Sequence, residues 1–469
     1  MSYSETINYI YNLQKHGIKL GLSNITRLVS ILGNPHKSFP SVHVAGTNGK
    51  GSTSAFIASI LRALGLKVGL FTSPHLVSFT ERIKVNDEEI TEYEVVSLTE
   101  EIRSKVADFS PTFFEVVTAM AFLYFQRKGI DIAVIEVGMG GRLDATNILV
   151  PEVSVITGID YDHREFLGDT IKEIANEKAD IIKDDIPVIV SMQTPEVLKV
   201  IEAKARERNS EVYLYGRDFS AVLKRDDPSG ICLDYFGDSF AIHDLYLPLA
   251  GEHQMQNASV AIKAATILWN KIGKKRRNVE NEKGRKIETG ISPVPRVPDS
   301  PVYEEEIMSL IRKGLVSVRW PGRLEMIKDD PPILIDGAHN PAAAVILSRV
   351  LVNNFLSIYK KIILILGIMG DKDIEGIMRP LLPIASEIIL TSPSYERAAP
   401  PAKLAVIAES LGFPEVRMAP SLKDAIEMAK NSSLVIHHSS LIVITGSFYT
   451  IGEAKEALGQ KGILTRLRE

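Results

Sequence analysis

Short apolar runs rich in β-branched residues recur along the chain, each followed by a longer amphipathic stretch, and this alternation restricts the fold more than any other feature. In the first half the runs are SVHVA (41–45), KVGLFTS (67–73), DIAVIEVG (131–138), VSVITGI (153–159) and IPVIVSM (186–192), with helix-like segments such as STSAFIASILRALG (52–65) between them. Parallel neighbours need a crossover of helical length, and a strand covered on both faces reads as a continuous apolar run. The pattern therefore predicts a mostly parallel sheet with helices on both faces. Around 213–247 the texture changes to the shorter pieces VYLYG, SAVLK, ICLDYF and DSFAIHDLYL, broken by Gly, Asp and Pro. These predict a small antiparallel patch on the same domain.

A second α/β pattern follows in PPILIDGAHN (331–340), KIILILGIMG (361–370), SEIILTSPS (386–394) and SSLIVITGSF (439–448). At 469 residues the chain exceeds one ordinary core. We expect two domains: a P-loop ATPase-like unit over 1–316 and a Rossmann-like α/β unit over 317–469. Between the two patterns, KIGKKRRNVENEKGRK (271–286) and ISPVPRVPDSP (291–301) hold few core-forming residues, so 271–301 reads as a solvated insertion or mobile loop. YEEEIMSLIRKGL (303–315) reads as one more helix.

Composition removes several classes of function. A formal charge of -4 gives no overall pull towards nucleic acid or an anionic membrane, and KKRR is more economically a solvated charge run. The N-terminal MSYSETINYIYNLQKHG has no apolar run of signal-peptide type, and KIILILGIMG is too short to span a bilayer. The single cysteine, Cys232, rules out an intrachain disulfide and suits a reducing compartment. A cytoplasmic chain acting as a monomer on small molecules is the expectation, without nucleic-acid or membrane partners.

The stretch VAGTNGKGST (44–53) carries the first chemistry. It departs from G-x-x-x-x-G-K-[ST], with Val44 at the first glycine and Gly51 directly after Lys50. Its context is nevertheless that of a phosphate loop: an apolar run enters a Gly-rich turn and a helix follows. Gly46, Gly49 and Gly51 allow backbone N–H groups to converge on a phosphate, and the helix start adds positive potential. Lys50 supplies a point charge, while Ser52 and Thr53 offer hydroxyls to a phosphate or Mg²⁺. Two further clusters end apolar runs: Glu136-Val-Gly-Met-Gly-Gly-Arg-Leu-Asp-Ala-Thr-Asn147 and Gly158-Ile-Asp-Tyr-Asp-His163. An acidic residue at the C-terminal edge of a parallel sheet sits where ligands bind and can hold Mg²⁺.

Together these pieces resemble the Mur-ligase superfamily, and within it the folylpolyglutamate synthase/dihydrofolate synthase family. The resemblance rests on HVAGTNGKGST, FTSPHLVSFTERI, TFFEVVTAMAF, IEVGMGGRLDATN, DHREFLGDTIKEIANEKADIIK, GEHQMQNASVAI, WPGRLE, DGAHNP and TGSFYTIGEA, in order between residues 43 and 454. In that family the loop reads GTNGKGS.

The resemblance implies roles for particular residues. Thr47, Asn48, Gly49 and Lys50, with Gly51 and Ser52, would cradle the ATP phosphates. Asn257 would meet the adenine side, Asp336 the ribose, and Arg323 would reach the phosphates from the second domain, with His339 on the Asp336 loop. Ser73 and Glu136 would ligate one Mg²⁺ and His163 a second. Lys178 matches a lysine that is carbamylated in the family, and Asp180 stands where Gly is usual after EKA. Thr112, Phe113, Phe114 and Glu115, with Leu143, Asp144 and Ala145, correspond to the pterin-side pocket. Lys50, His163, Lys178 and Arg323 are the expected catalytic group.

The implied activity joins L-glutamate to dihydropteroate, to folates, or to both, with ATP converting a carboxylate to an acyl phosphate. Phosphoryl transfer asks mainly for positioning and charge stabilisation, which a Gly loop, a lysine, two Mg²⁺ ions and an arginine provide. A Mur-type peptide ligase of cell-wall synthesis and a P-loop NTPase switch are the alternatives. WPGR and DGAHNP on a second domain weigh against a switch, and GTNGKGS and FTSPHL weigh towards the folate branch.

Overall fold

The computed structural model describes residues 1–16, 21–106, 109–238, 240–283, 301–327, 329–432 and 439–459. The first lobe is built on an eight-stranded sheet: β1 (Ser41–Ala45), β2 (Val68–Phe71), β3 (Ile83–Val85), β4 (Glu88–Glu89), β5 (Ile132–Glu136), β6 (Val153–Ile156), β7 (Val188–Val190) and β8 (Val212–Leu214). Their spatial order is β4-β3-β2-β5-β1-β6-β7-β8. All pairings from β2 to β8 are parallel, and the hairpin β3–β4 adds an antiparallel edge.

The apolar runs are apolar because both faces of the sheet are covered. In β5, Ile132 and Val134 join a core with Phe56, Ile57 and Ile60 of the helix Lys50–Ala63. Ala133 and Ile135 point the other way, into a core with Val117, Met120 and Phe122 of the helix Phe113–Lys128. The side-chain period of two thus feeds two separate cores.

Three further strands, β9 (Ser220–Asp227), β10 (Gly230–Phe236) and β11 (Ala241–Leu247), form a separate antiparallel sheet in the order β11-β10-β9. The expected patch is therefore present, with one correction. VYLYG does not belong to it: β8 pairs parallel with β7 and ends the main sheet. Its half-buried side chains make it look like the neighbouring antiparallel strands in sequence, whereas its register partner is one helix upstream.

The second lobe contains β12 (Glu325–Ile327), β13 (Ile333–Ile335), β14 (Lys361–Leu366), β15 (Glu387–Leu390), β16 (Arg417–Met418) and β17 (Ser440–Thr445), in the order β12-β13-β17-β14-β15-β16. Only β12 runs antiparallel to its neighbour. Here too alternate residues divide: Leu334, Leu364 and Val443 face one core, and Ile333, Ile363 and Ile442 the other.

The helix His253–Lys283 carries the chain into the segment read as an insertion, so its first part is helical backbone. The helix Pro301–Val316 follows, as its sequence suggested. Residues 284–300 lie outside the described residues. Among the described residues, no helix is long and apolar enough to cross a membrane.

What matters for function is which strand ends adjoin. In the first sheet β5, β1 and β6 are neighbours, and their C-terminal ends deliver Glu136, the Gly46–Gly49 loop and the Gly158–His163 loop to one edge. In the second, β13 delivers Asp336 to His339 beside the end of β17.

Candidate active site

The glycine loop is held by the adjoining strand end. The Thr47 and Asn48 N–H groups both donate to the Gly158 carbonyl, at 2.8 and 3.2 Å. Thr47 Oγ1 donates to Asp160 O (2.9 Å) and accepts from Asp160 N (3.0 Å). Gly49 caps the helix Lys50–Ala63 with φ of 88°, a conformation that an L side chain adopts only under strain. A Cβ there would also lie 2.5 Å from Asn257 Oδ1, which places Asn257 directly over the loop. At Gly51 a Cβ would lie 2.8 Å from the Trp320 ring, so the residue after Lys50 must be small for the second lobe to approach. Lys50 Nζ donates to the Gly46 and Thr47 carbonyls at 3.2 and 3.3 Å, curled back over its own loop. Ser52 is buried in the first turn of the same helix.

A cleft of about 320 Å³ runs between the lobes beside this loop. Gly51, Ser73 and Glu136 line it from the first lobe, Trp320, Arg323 and Phe448 from the second. Glu136 Oε2 accepts from the Ser73 N–H at 3.0 Å. Burial pushes the Glu136 carboxyl up, opposed first by Lys50 and then by the Ser73 N–H, Arg323 and Arg82.

Among the described residues, no group of three or more His, Cys, Asp or Glu side chains is placed to hold a metal. Mg²⁺ usually takes one or two carboxylates and completes its shell with phosphate oxygens and water. A buried carboxylate on the cleft wall next to a phosphate loop, with a serine beside it, fits that ion and its sparse demand on the protein.

Lys178 is buried beneath the loop, with Nζ donating to Gly46 O at 2.9 Å. Burial, reinforced by Lys50, pushes its pKa down to about 7. Asp180 plays no part here; it turns outward to Lys204 (3.0 Å) and Arg142 (3.9 Å). His163 begins the short helix Arg164–Leu167 with a positive φ of 50°. Its side chain is 39% exposed, yet the protein packed around the ring, with Lys372, Lys50 and Lys178, pushes its pKa down to about 4 against the pull of Asp162. The ring is thus neutral at neutral pH, the form that ligates metals.

From the second lobe, Arg323 stacks on Phe448, with its guanidinium 4.7 Å from the ring centroid, and donates to Gly322 O at 3.1 Å. Burial lowers its pKa, while Asp336 and Glu136 raise it. Asp336 accepts from Leu324 N (3.0 Å) and Ala338 N (2.9 Å), so both carboxylate oxygens already shape the loop that carries His339. His339 Nδ1 lies 2.9 Å from Gly337 O and its ring packs on Phe448.

Three functional candidates escaped the sequence reading. Asp162 is approached from the other lobe by Lys372 Nζ at 2.6 Å, Asn340 Nδ2 at 3.5 Å and His339 Nε2 at 3.6 Å. Burial raises the Asp162 carboxyl, but His339, His163 and Lys372 outweigh it and hold it well below the carboxylate range. Asn340 also exchanges amide hydrogen bonds with Asn48 on the glycine loop, at 2.9 and 3.3 Å. Asp162 and Asn340 stood inside quoted motifs, GIDYDH and DGAHNP. Lys372 carried no signal beyond a charge after a strand.

The residues assigned to the pterin side lie behind Glu136. Phe114 packs so closely on the following loop that a Cβ at Gly138 would be 2.4 Å from its ring. Phe113 packs on Tyr11, with centroids 5.2 Å apart. Thr112 and Glu115 engage each other as the cap of the helix Phe113–Lys128: Thr112 N donates to Glu115 Oε2 at 2.6 Å. Asp144 accepts from Met139 N (2.9 Å) and Thr146 N (3.0 Å), fixing the turn that presents Leu143 and buried Ala145.

Two family models match this chain, the Mur ligase middle domain over residues 44–265 and the Mur ligase glutamate ligase domain over 322–448. A curated relative from Bacillus subtilis, named dihydrofolate synthase/folylpolyglutamate synthase, is 34% identical, covering 97% of this chain and 99% of its own. The chain belongs to that family. A folylpolyglutamate synthase from Lacticaseibacillus casei is 35% identical, covering 98% of this chain and 99% of its own. Among solved structures, Mycobacterium tuberculosis folylpolyglutamate synthase complexed with ADP superposes with a TM-score of 0.84 at 32% identity, covering 98% of this chain and all of the other. A complex of a folylpolyglutamate synthase with AMPPCP and folate gives 0.78 at 32% identity, covering 98% and 100%. The two-domain α/β architecture and the family membership read from the motifs are both borne out. In this chain Glu136 and Arg323 meet on the cleft between the lobes, with Lys50 near enough to oppose the rise in the Glu136 pKa.

Proposed function

We propose that the chain is an ATP-dependent ligase that adds L-glutamate to dihydropteroate, to folates, or to both, through an acyl phosphate. The observation that carries this reading is the convergence of Glu136 and Arg323 from two lobes on one cleft beside the loop of Lys50, in a chain of this family. Division into an ATP-binding unit over 1–316 and a glutamate-ligase unit over 317–469 belongs to the same reading, as do a monomeric state and a cytoplasmic setting.

In this proposal the Thr47–Lys50 loop cradles the ATP phosphates, and Lys50 leaves the Gly46 and Thr47 carbonyls to meet them. Gly51 and Ser52 extend the cradle into the helix. Asn257, poised over Gly49, faces the adenine side. Asp336 retains free lone pairs for a ribose hydroxyl once its backbone bonds are made. Mg²⁺ on Ser73 and Glu136, and a second ion on His163, would supply neutralisation of phosphate charge. Lys178, with its depressed pKa, presents the neutral amine that adds CO₂. The carbamate would put an anion in place of that amine and could support the second ion.

The acceptor carboxylate attacks the terminal phosphorus, ADP leaves, and the glutamate amine displaces phosphate from the acyl carbon. Arg323, buried against Phe448, stabilises charge as the phosphoryl group moves, acting where water is excluded. His339, on the Asp336 loop, lies on the same wall. Phe113 and Phe114 provide aromatic surface for the pterin side, and Leu143 to Ala145 complete it. The links from Asp162 and Asn48 to the second lobe make closure a condition of assembling the site.

The experiment is glutamate-dependent ADP release, run in parallel with dihydropteroate and tetrahydrofolate. Turnover that requires both an acceptor and glutamate is expected. ATP hydrolysis at the same rate without either would overturn the reading in favour of a switch.

A further inference from the structure

Arg82 carries a buried charge that the phosphate chemistry does not use. It ends the short turn Phe79–Arg82 and is 7% exposed. Its Nε–H donates to His75 Nδ1 at 2.7 Å. A guanidinium only donates, so Nδ1 holds a lone pair, and the His75 ring proton sits on Nε2, 3.0 Å from Tyr11 Oη. One edge of the fork is fixed in this way, and its face is supported by Phe113, 5.4 Å from the guanidinium carbon to the ring centroid.

The rest of the fork is uncommitted. Among the described residues no acceptor bonds the η nitrogens, and neither is among the sealed-in polar atoms lacking a partner, so they keep some contact with solvent. The adjacent Glu81 does not bond the fork: its carboxylate accepts from Leu76, Val77 and Ser78 N–H at 2.8, 2.7 and 2.6 Å, and with Glu136 it acts on Arg82 only through its charge. Tyr449, stacked on Tyr395 at 4.3 Å in the second lobe, lies within reach of the Arg82 charge. Leaving the donors of a buried guanidinium unbonded is costly, and a planar fork backed by an aromatic face matches a carboxylate.

We propose that Arg82 binds the carboxylate adjacent to the reacting one on the acceptor, which in a folate is the α-carboxylate of its terminal glutamyl residue. The inference rests on the ligase reading above and deepens it. Dihydropteroate has one carboxylate, the one that reacts. A folate brings a second beside it, and Arg82 stands next to Phe113, on the acceptor side of Glu136, where that second group arrives. Arg82 is then a specificity-determining residue for acceptors that already carry glutamate.

The test compares tetrahydrofolate with its α-carboxamide, whose γ-carboxylate remains free to react, in wild type, Arg82→Gln and Arg82→Lys. A charge-assisted hydrogen-bonded pair corresponds to roughly ten- to hundredfold in KM. The amide is expected to raise the wild-type KM by that factor with little change in kcat. Arg82→Gln should raise the KM for the acid equally and no longer distinguish acid from amide, and Arg82→Lys should regain part of the preference. The KM for ATP should not move. A wild type that uses amide and acid alike, or an Arg82→Gln enzyme that keeps the full preference for the acid, overturns the assignment. The wild-type comparison decides even where a variant does not fold. Absence of glutamate-dependent ADP release with every pteroyl acceptor in wild type is a different result: it refutes the ligase reading, and Arg82's role falls with it.

Discussion

Replacing Lys178 by methionine should make the protein more stable while abolishing ligation. Lys178 is 4% exposed, its amine donates to Gly46 O, and burial takes its pKa from 10.5 to about 7. Between those two values the unfolded chain holds a proton that the folded chain lacks. Stability therefore rises with pH across that window and is most reduced below pH 7. The penalty at pH 7 is about 4 kcal/mol, and about 2 kcal/mol of it is relieved by pH 9. Loss of the Gly46 bond returns about 1 kcal/mol, so the variant should gain about 3 kcal/mol at pH 7. The assay is urea unfolding of both proteins in CO₂-free buffer at pH 7 and pH 9, following the transition of the lobe that holds Lys178. The stability difference should shrink by about 2 kcal/mol between the two pH values. A variant less stable than wild type at pH 7, or a difference independent of pH, would refute a depressed amine. Bicarbonate labelled with ¹³C should give a carbamate signal in wild type that is missing from Lys178→Met. Short carboxylic acids should partly restore the variant's activity.

Lys50→Ala and Glu136→Ala should each lose ligation in the ADP-release assay while keeping a wild-type circular dichroism spectrum, since both side chains serve the sheet edge and not the packing of a core. Gly49→Ala forces an L residue to φ of 88° and displaces Asn257, so a stability loss of about 1–2 kcal/mol in thermal unfolding should accompany weaker ATP binding. Asp162→Ala strands Lys372 at the lobe junction, and thermal unfolding should report a loss of about 3 kcal/mol together with reduced turnover. The pair Asn48→Ala and Asn340→Ala should show a coupling of about 1 kcal/mol in a double-mutant cycle, because each amide bonds the other across the lobes.

Much of the fold is legible in the sequence because both sheets are covered on both faces. SVHVA, DIAVIE and SLIVIT have no polar alternation to confuse the reading, and each is a strand. Where burial is partial the signal fades. VYLYG resembles the antiparallel pieces after it, and nothing local records that its partner is β7. The two-residue strands Glu88–Glu89 and Arg417–Met418 are exposed edges without apolar pattern. At the site, the loop around Lys50 and the acid at the end of β5 are visible because their chemistry is local. The contact of Asp162 with Lys372 is not, since 210 residues separate them and only lobe packing joins them. Arg82 is hidden for a similar reason. In the letters FTERI it is one more charged residue, and only burial against Phe113 and His75 marks it out.

The central claim is that the terminal phosphorus of ATP passes to an oxygen of the acceptor carboxylate before the amide forms. Acceptor labelled with ¹⁸O in that carboxylate, incubated with enzyme, ATP and glutamate, tests it directly. Mass analysis should find one labelled oxygen in the inorganic phosphate for each amide made. Phosphate released without label while amide accumulates would contradict the account.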